Sequence, residues 1–135
     1  MKYFSIAELS DSATARQLHI NNKPDNEAVE NLKALVENIL DPARELMGVP
    51  VRVNSGYRSP RLNRVVGGVD NSQHIKGEAA DVSAGSPELN RRLYEVLLAM
   101  PFDQLIWERG TDEAPAWLHV SYRRDGANRG EVLRL

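Results

Sequence analysis

An α+β fold follows from two features of this 135-residue sequence. Two long stretches, 25–47 and 87–100, carry apolar residues at helical spacing, while short stretches at 51–54, 79–83, 104–108 and 117–122 are strand-like and bounded by turn signals. The length fits a single domain, residues 1–135, with enough chain to bury a core without staples.

Ser5-Ile6-Ala7-Glu8 has the capping-box pattern and starts a short helix. The polar run from Ser10 to Lys23 carries no decisive periodicity, and its His19 reads as a solvated loop residue without acidic or histidine neighbours at ligand spacing. Between 25 and 47, Ala28, Val29, Leu32, Leu35, Val36, Ile39, Leu40, Ala43 and Leu46 form one apolar stripe, with Glu30, Lys33, Glu37 and Asn38 facing water. Pro42 is expected to kink or divide this helix, because proline removes a backbone donor and clashes with the preceding turn; Gly48 and Pro50 end it. Val51–Asn54 alternates as a strand and runs into the turn Ser55–Pro60, where Ser59 is an N-cap, Pro60 the first helical residue and Gly67-Gly68 the stop. Arg58 thus lies where a strand gives way to a loop, a position from which side chains reach a site.

Gly77 and the small and β-branched residues after it predict a loop entering a strand over 79–83. Its period of two sets Ala79, Asp81 and Ser83 on one face and Ala80 and Val82 on the other, so Asp81 points away from the packed side. Ser86-Pro87 opens a second helix whose stripe is Leu89, Leu93, Val96, Leu97 and Met100, closed by Pro101. A strand over Gln104–Glu108 ends in the turn-rich 109–113, and the next, 117–122, carries Trp117, His119 and Ser121 opposite Leu118, Val120 and Tyr122. If that strand pairs with the one bearing Asp81, both metal-type residues project from one side of the sheet. Val132–Leu135 supplies a terminal edge strand, and there is neither internal repeat nor low-complexity segment.

A hydrophobic share of 41%, a charged share of 27% and a net charge of -2 describe an ordinary globular chain without a nucleic-acid-binding surface. Cysteine is absent, which excludes disulfides, thiolate metal sites and cysteine nucleophiles and leaves nitrogen and oxygen to hold any metal. The N-terminus, Met1–Glu8, is polar where a signal peptide needs an apolar run, and no stretch is apolar enough to span a bilayer, so a cytoplasmic product with no membrane partner is expected. Within these limits His74, Asp81 and His119 stand out. Two imidazoles and a carboxylate can hold a divalent ion and leave a position open for water, as zinc does in hydrolytic sites. The same donors hold iron(II) in some oxygenases, although the six residues between His74 and Asp81 do not suit the close spacing usual there.

Three motifs occur in order: Ser55-Gly56-Tyr57-Arg58-Ser59, Ser72-x-His74-x-x-Gly77-x-Ala79-x-Asp81, and Trp117-x-His119. Together they resemble the zinc D-Ala-D-Ala carboxypeptidase/endopeptidase family, peptidase family M15, particularly its small phage and bacterial members, over about residues 27–123. The resemblance implies helices packed on one face of a small, mainly antiparallel sheet, a Hedgehog/DD-peptidase-like arrangement, with a zinc cleft on the other face. It implies Zn2+ held by His74, Asp81 and His119, Arg58 engaging substrate and the charge developing on the attacked carbonyl, and Ser72 and Trp117 lining the substrate site. The implied activity is hydrolysis of peptidoglycan stem peptides, as a D,D-carboxypeptidase or endopeptidase, by a monomer that meets the wall after release, as a phage or prophage endolysin does.

The chain departs from the family at one place. Family members carry an acidic general base three residues before the last histidine, where this sequence has Ala116. Glu108, at the end of the strand before Trp117, is the first substitute, with Asp112 and Glu113 next. The alternative is a peptidoglycan-binding or phage structural module of the same fold that has lost its base.

Overall fold

The computed structural model describes all residues 1–135. Its helices are α1 (Ile6–Leu9), α2 (Ala13–Gln17), α3 (Asn26–Leu35), α4 (Asp41–Met47), α5 (Pro60–Val65) and α6 (Pro87–Leu98). The strands are β1 (Arg52–Ser55), β2 (Ala79–Ser83), β3 (Gln104–Glu108), β4 (Trp117–Ser121) and β5 (Glu131–Arg134). They form one mixed sheet in the order β1-β2-β4-β3-β5, antiparallel except for the β3–β5 pair at one edge.

Serine hydroxyls begin three helices as the sequence predicts, and an aspartate carboxylate begins a fourth. Ser5, Ser59 and Ser86 accept from Glu8, Leu62 and Leu89 backbone N–H groups, and Asp25 from that of Ala28. Ser12 does the same for α2, an element the polar 10–23 run conceals. That short helix rests on a separate small cluster of Ala15, Ile20 and Leu62, so tertiary contact rather than a stripe of its own holds it in place.

The long helical run is divided just before Pro42, as the sequence predicts, although the chain stays helical through the junction. Residues Val36–Leu40 form a π-turn, closed by the Asp41 N–H donating to the Val36 carbonyl, and α4 starts immediately after with Pro42 in its first turn. The wider turn adds one residue to the cycle and advances the buried face by one position. The core therefore takes Ala28, Leu32, Leu35, Val36, Ile39, Leu40, Ala43 and Met47, while Leu46, expected in the stripe, is 61% exposed. This is a correction to the plain helical period.

Ala80 and Val82 of β2, Leu105 of β3 and Leu118 and Val120 of β4 meet that helix face and Leu93 and Leu97 of α6 in a single cluster. Full burial of each of these valine and leucine side chains stabilises the fold by about 1.5–3 kcal/mol relative to exposure. The helices thus cover one face of the sheet, and the opposite face of β2, β4 and β3 carries Asp81, His119, Ile106, Gln104 and Glu108. No helix is long and apolar enough to cross a membrane.

A candidate metal centre on the open face of the sheet

Antiparallel pairing sets Asp81 of β2 directly opposite His119 of β4, and His119 in turn opposite Ile106 of β3. Side chains at such positions leave the sheet on the same side. His74 arrives from the 71–78 loop that leads into β2, and it is 3% exposed. The loop is fixed by its own backbone: the Ser72 hydroxyl accepts from the His74 N–H at 3.2 Å, and the Arg58 N–H donates to the His74 carbonyl at 3.0 Å.

The three side chains converge on one point. Asp81 Oδ1 lies 3.0 Å from His119 Nδ1 and 3.4 Å from His74 Nε2, and the two rings meet edge to face with centroids 5.1 Å apart. All three donor atoms fall within 4.8 Å of one another. His74 Nδ1 is 2.7 Å from the Gly56 carbonyl, which can only accept, so Nδ1 carries a proton and Nε2 is the nitrogen turned toward Asp81. The donor set, two imidazole nitrogens and one carboxylate without sulfur, therefore fits a divalent ion of the zinc type, with iron(II) sharing the same preference. Gly56 is needed for this brace because a Cβ there would stand 2.1 Å from the Leu9 carbonyl oxygen.

Charge at the centre is tightly arranged. Burial pushes the Asp81 carboxyl up, but hydrogen bonds from His119 and His74 outweigh it and hold the group well below the usual carboxylate range. Arg58 NH2 is 3.6 Å from Asp81 Oδ2, with its Nε donating to Ser55 Oγ at 3.1 Å and its NH1 to Asn63 Oδ1 at 3.2 Å. Burial lowers the Arg58 pKa and Asp81 partly restores it; a guanidinium keeps its proton throughout the working range.

Around the three donors runs a cleft of about 980 Å³, whose lining includes Arg58, Ser72, Glu108 and Trp117 together with Gln73, Glu78, Gln104, Asp103 and Arg129. Glu108 pairs across from Trp117, one pleat along from the Ile106–His119 row, so both share the open face with the donors. Asp112 and Glu113, the other candidate bases, lie outside that lining; the Asp112 side chain is 99% exposed and pairs with Arg134. Ala116 is exposed, and its carbonyl accepts from the buried Asn90 amide of α6, which ties the 109–116 loop down before Trp117. His19 stands exposed, outside the cleft. The Gly56 carbonyl, Asn63 and the buried Asp103 are silent in the sequence, because each acts through a partner that a loop, not a helical or strand period, brings to it. Only the Gly in Ser55-Gly56-Tyr57 hinted at a close backbone approach.

A family model described as Peptidase M15 matches residues 2–121. A zinc D-Ala-D-Ala carboxypeptidase of Streptomyces albus G is 50% identical over 48 residues, a stretch that covers 35% of this chain and 19% of that relative.

Proposed function

Because the chain belongs to the M15 peptidase family, we propose that it is a zinc-dependent hydrolase of peptidoglycan stem peptides, acting as a D,D-carboxypeptidase or endopeptidase. The observation that carries this reading is the convergence of His74, Asp81 and His119 on one point of an open cleft, supported by the likeness to a relative named for zinc and D-Ala-D-Ala. His74 Nε2, a carboxylate oxygen of Asp81 and His119 Nδ1 would hold the ion. When bound, zinc supplies a water of lowered pKa and polarises a carbonyl.

The protein's own groups do the rest. The Gly56 carbonyl keeps His74 in one tautomer, so its Nε2 stays a donor of electrons rather than of a proton. Arg58, held at three of its nitrogens, presents its guanidinium beside the donors and stabilises negative charge that develops on the attacked carbonyl oxygen, an interaction that counts most in a partly dry site. Glu108 takes the role vacated at Ala116: its carboxylate accepts the proton of the attacking water and delivers it to the leaving nitrogen. Trp117 offers a flat apolar wall to the peptide, and Ser72, on the cleft lining, shapes the loop by accepting from the His74 N–H and keeps its hydroxyl proton to donate to a substrate peptide group. The protein acts as a monomer on wall peptides.

Digestion of purified wall fragments, read as new amino termini, tests the proposal. Wild type with zinc is expected to release them, while His119→Ala and Glu108→Gln each lose at least about 100-fold. No release from fragments of several wall types would overturn the peptidase reading. Ala116 supports a second reading, a wall-peptide-binding or phage structural module without catalysis, and the outcome for it is saturable binding of the fragments without cleavage. Lysis of wall suspensions would assign an endopeptidase of the lytic kind that a phage or prophage endolysin is, and release of terminal D-alanine alone a carboxypeptidase.

A further inference from the structure

We propose that Asn63 is the positioning residue for Arg58, and that it couples the guanidinium to the glycine-containing loop on the cleft rim. The proposal rests on the role given to Arg58 above. Asn63, on α5, is 1% exposed, and its side-chain hydrogen bonds go to Arg58 and Val69 rather than to a candidate metal donor. Its Oδ1 accepts from Arg58 NH1 at 3.2 Å and its Nδ2 donates to the Val69 carbonyl at 2.8 Å. The amide orientation is forced, since a guanidinium only donates and a carbonyl only accepts. The Asn63 carbonyl also takes the Gly68 N–H at 2.9 Å, so one residue fastens the 66–69 loop at two points and the arginine at a third.

A second observation comes from the loop side. A Cβ on Gly68 would stand 2.1 Å from Asn63 Oδ1 and 3.0 Å from Arg58 NH1. Gly68 has no left-handed backbone requirement, so it is glycine to leave room for this contact rather than to make a turn. Gly68 and Val69 both line the cleft, and Val69 is 65% exposed there. A substrate that presses on this rim therefore bears on the same amide that aims Arg58. Leucine at 63 fills similar space and removes both polar contacts; aspartate keeps an acceptor for Arg58 and loses the donor to Val69.

The test is a double-mutant cycle combined with a reading that needs no activity. Asn63→Leu and Gly68→Ala are expected to lower kcat about 10–100-fold with KM little changed, as a misaimed charge-stabilising group does. On an Arg58→Ala background Asn63→Leu should cost no more than about twofold, because the group it serves is gone. In parallel, the Arg58 NH1 proton resonances, which report the bond to Asn63 rather than the Nε–H bond to Ser55, followed by NMR in the metal-free protein, should be resolved and slow to exchange in wild type and Asn63→Asp, and averaged with solvent-exposed arginines in Asn63→Leu and Gly68→Ala. An unchanged Arg58 resonance in folded Asn63→Leu, or a full loss of rate persisting on the Arg58→Ala background, would overturn the proposal. Inactive wild type with the predicted change in resonance would instead refute the peptidase reading and leave the positioning intact.

Discussion

Replacing Asp81 by asparagine should uncouple the protein's stability from zinc. The carboxylate is the charged member of the donor set, and it also faces Arg58 at 3.6 Å. In the metal-free protein, Asp81→Asn leaves a largely buried guanidinium without its counter-charge and should cost about 1–3 kcal/mol, so the baseline melting temperature falls. The informative quantity is the rise on adding zinc. At a concentration about 100 times the wild-type Kd, binding to the native state alone stabilises by about 2.7 kcal/mol. For a chain of this length that is a rise of about 10 °C, taking roughly 3–5 °C per kcal/mol. If neutralising the donor weakens affinity about 100-fold, the same zinc gives the variant only about 0.4 kcal/mol, or 1–2 °C. Differential scanning calorimetry of both proteins, with and without zinc, reads the two rises. A variant that keeps most of the wild-type rise would show that zinc binds elsewhere and refute the assignment of Asp81.

Two further predictions concern the frame around the site. Met47→Ala should cost about 2–5 kcal/mol and Leu46→Ala less than about 0.5 kcal/mol by denaturant unfolding, because the π-turn puts Met47 in the core and Leu46 in water; the reverse order would mean an unbroken α-helix through Leu40. Asp103, buried, is pushed up by desolvation but held below its ordinary 3.8 by Arg129, which donates to it from its backbone N–H, Nε and NH2. A folded pKa below the unfolded one means stability fully present above pH 3.8 and lost as pH falls through the lower folded value. Melting temperature measured from pH 6 to pH 2 should therefore show an acid limb that flattens in Asp103→Asn; an equally steep limb in that variant would remove Asp103 as its source.

Local rules carried much of the fold. Strand-type composition bounded by turn residues marked strands 79–83 and 104–108 to the residue, and serine caps marked the starts of α5 and α6, because these signals act within a few residues. What the sequence concealed depends on contacts between distant segments. The five residues of α2 gain their order from Leu62, and the π-turn shifts the helix face by one residue without any local signal beyond Pro42. β5 joins parallel to β3, an arrangement that a four-residue edge strand does not announce. The site divides in the same way. The strand period put Asp81 and His119 on one face, and only their pairing needed the structure. The Gly56 brace on His74 and the Asn63 clamp on Arg58 join residues 18 and 5 positions apart through loops, where periodicity is silent. Glu108 lay within reach of strand logic because β3 and β4 pair end to end.

The central claim, that one zinc ion held by His74, Asp81 and His119 makes this chain a peptide hydrolase, is tested most directly by titrating zinc into metal-free protein while following cleavage of a stem-peptide fragment. The rate should rise linearly and break at one zinc per chain, with no rise in Asp81→Asn. Cleavage that needs no metal, or none at any zinc level in a protein that binds one equivalent, would contradict it.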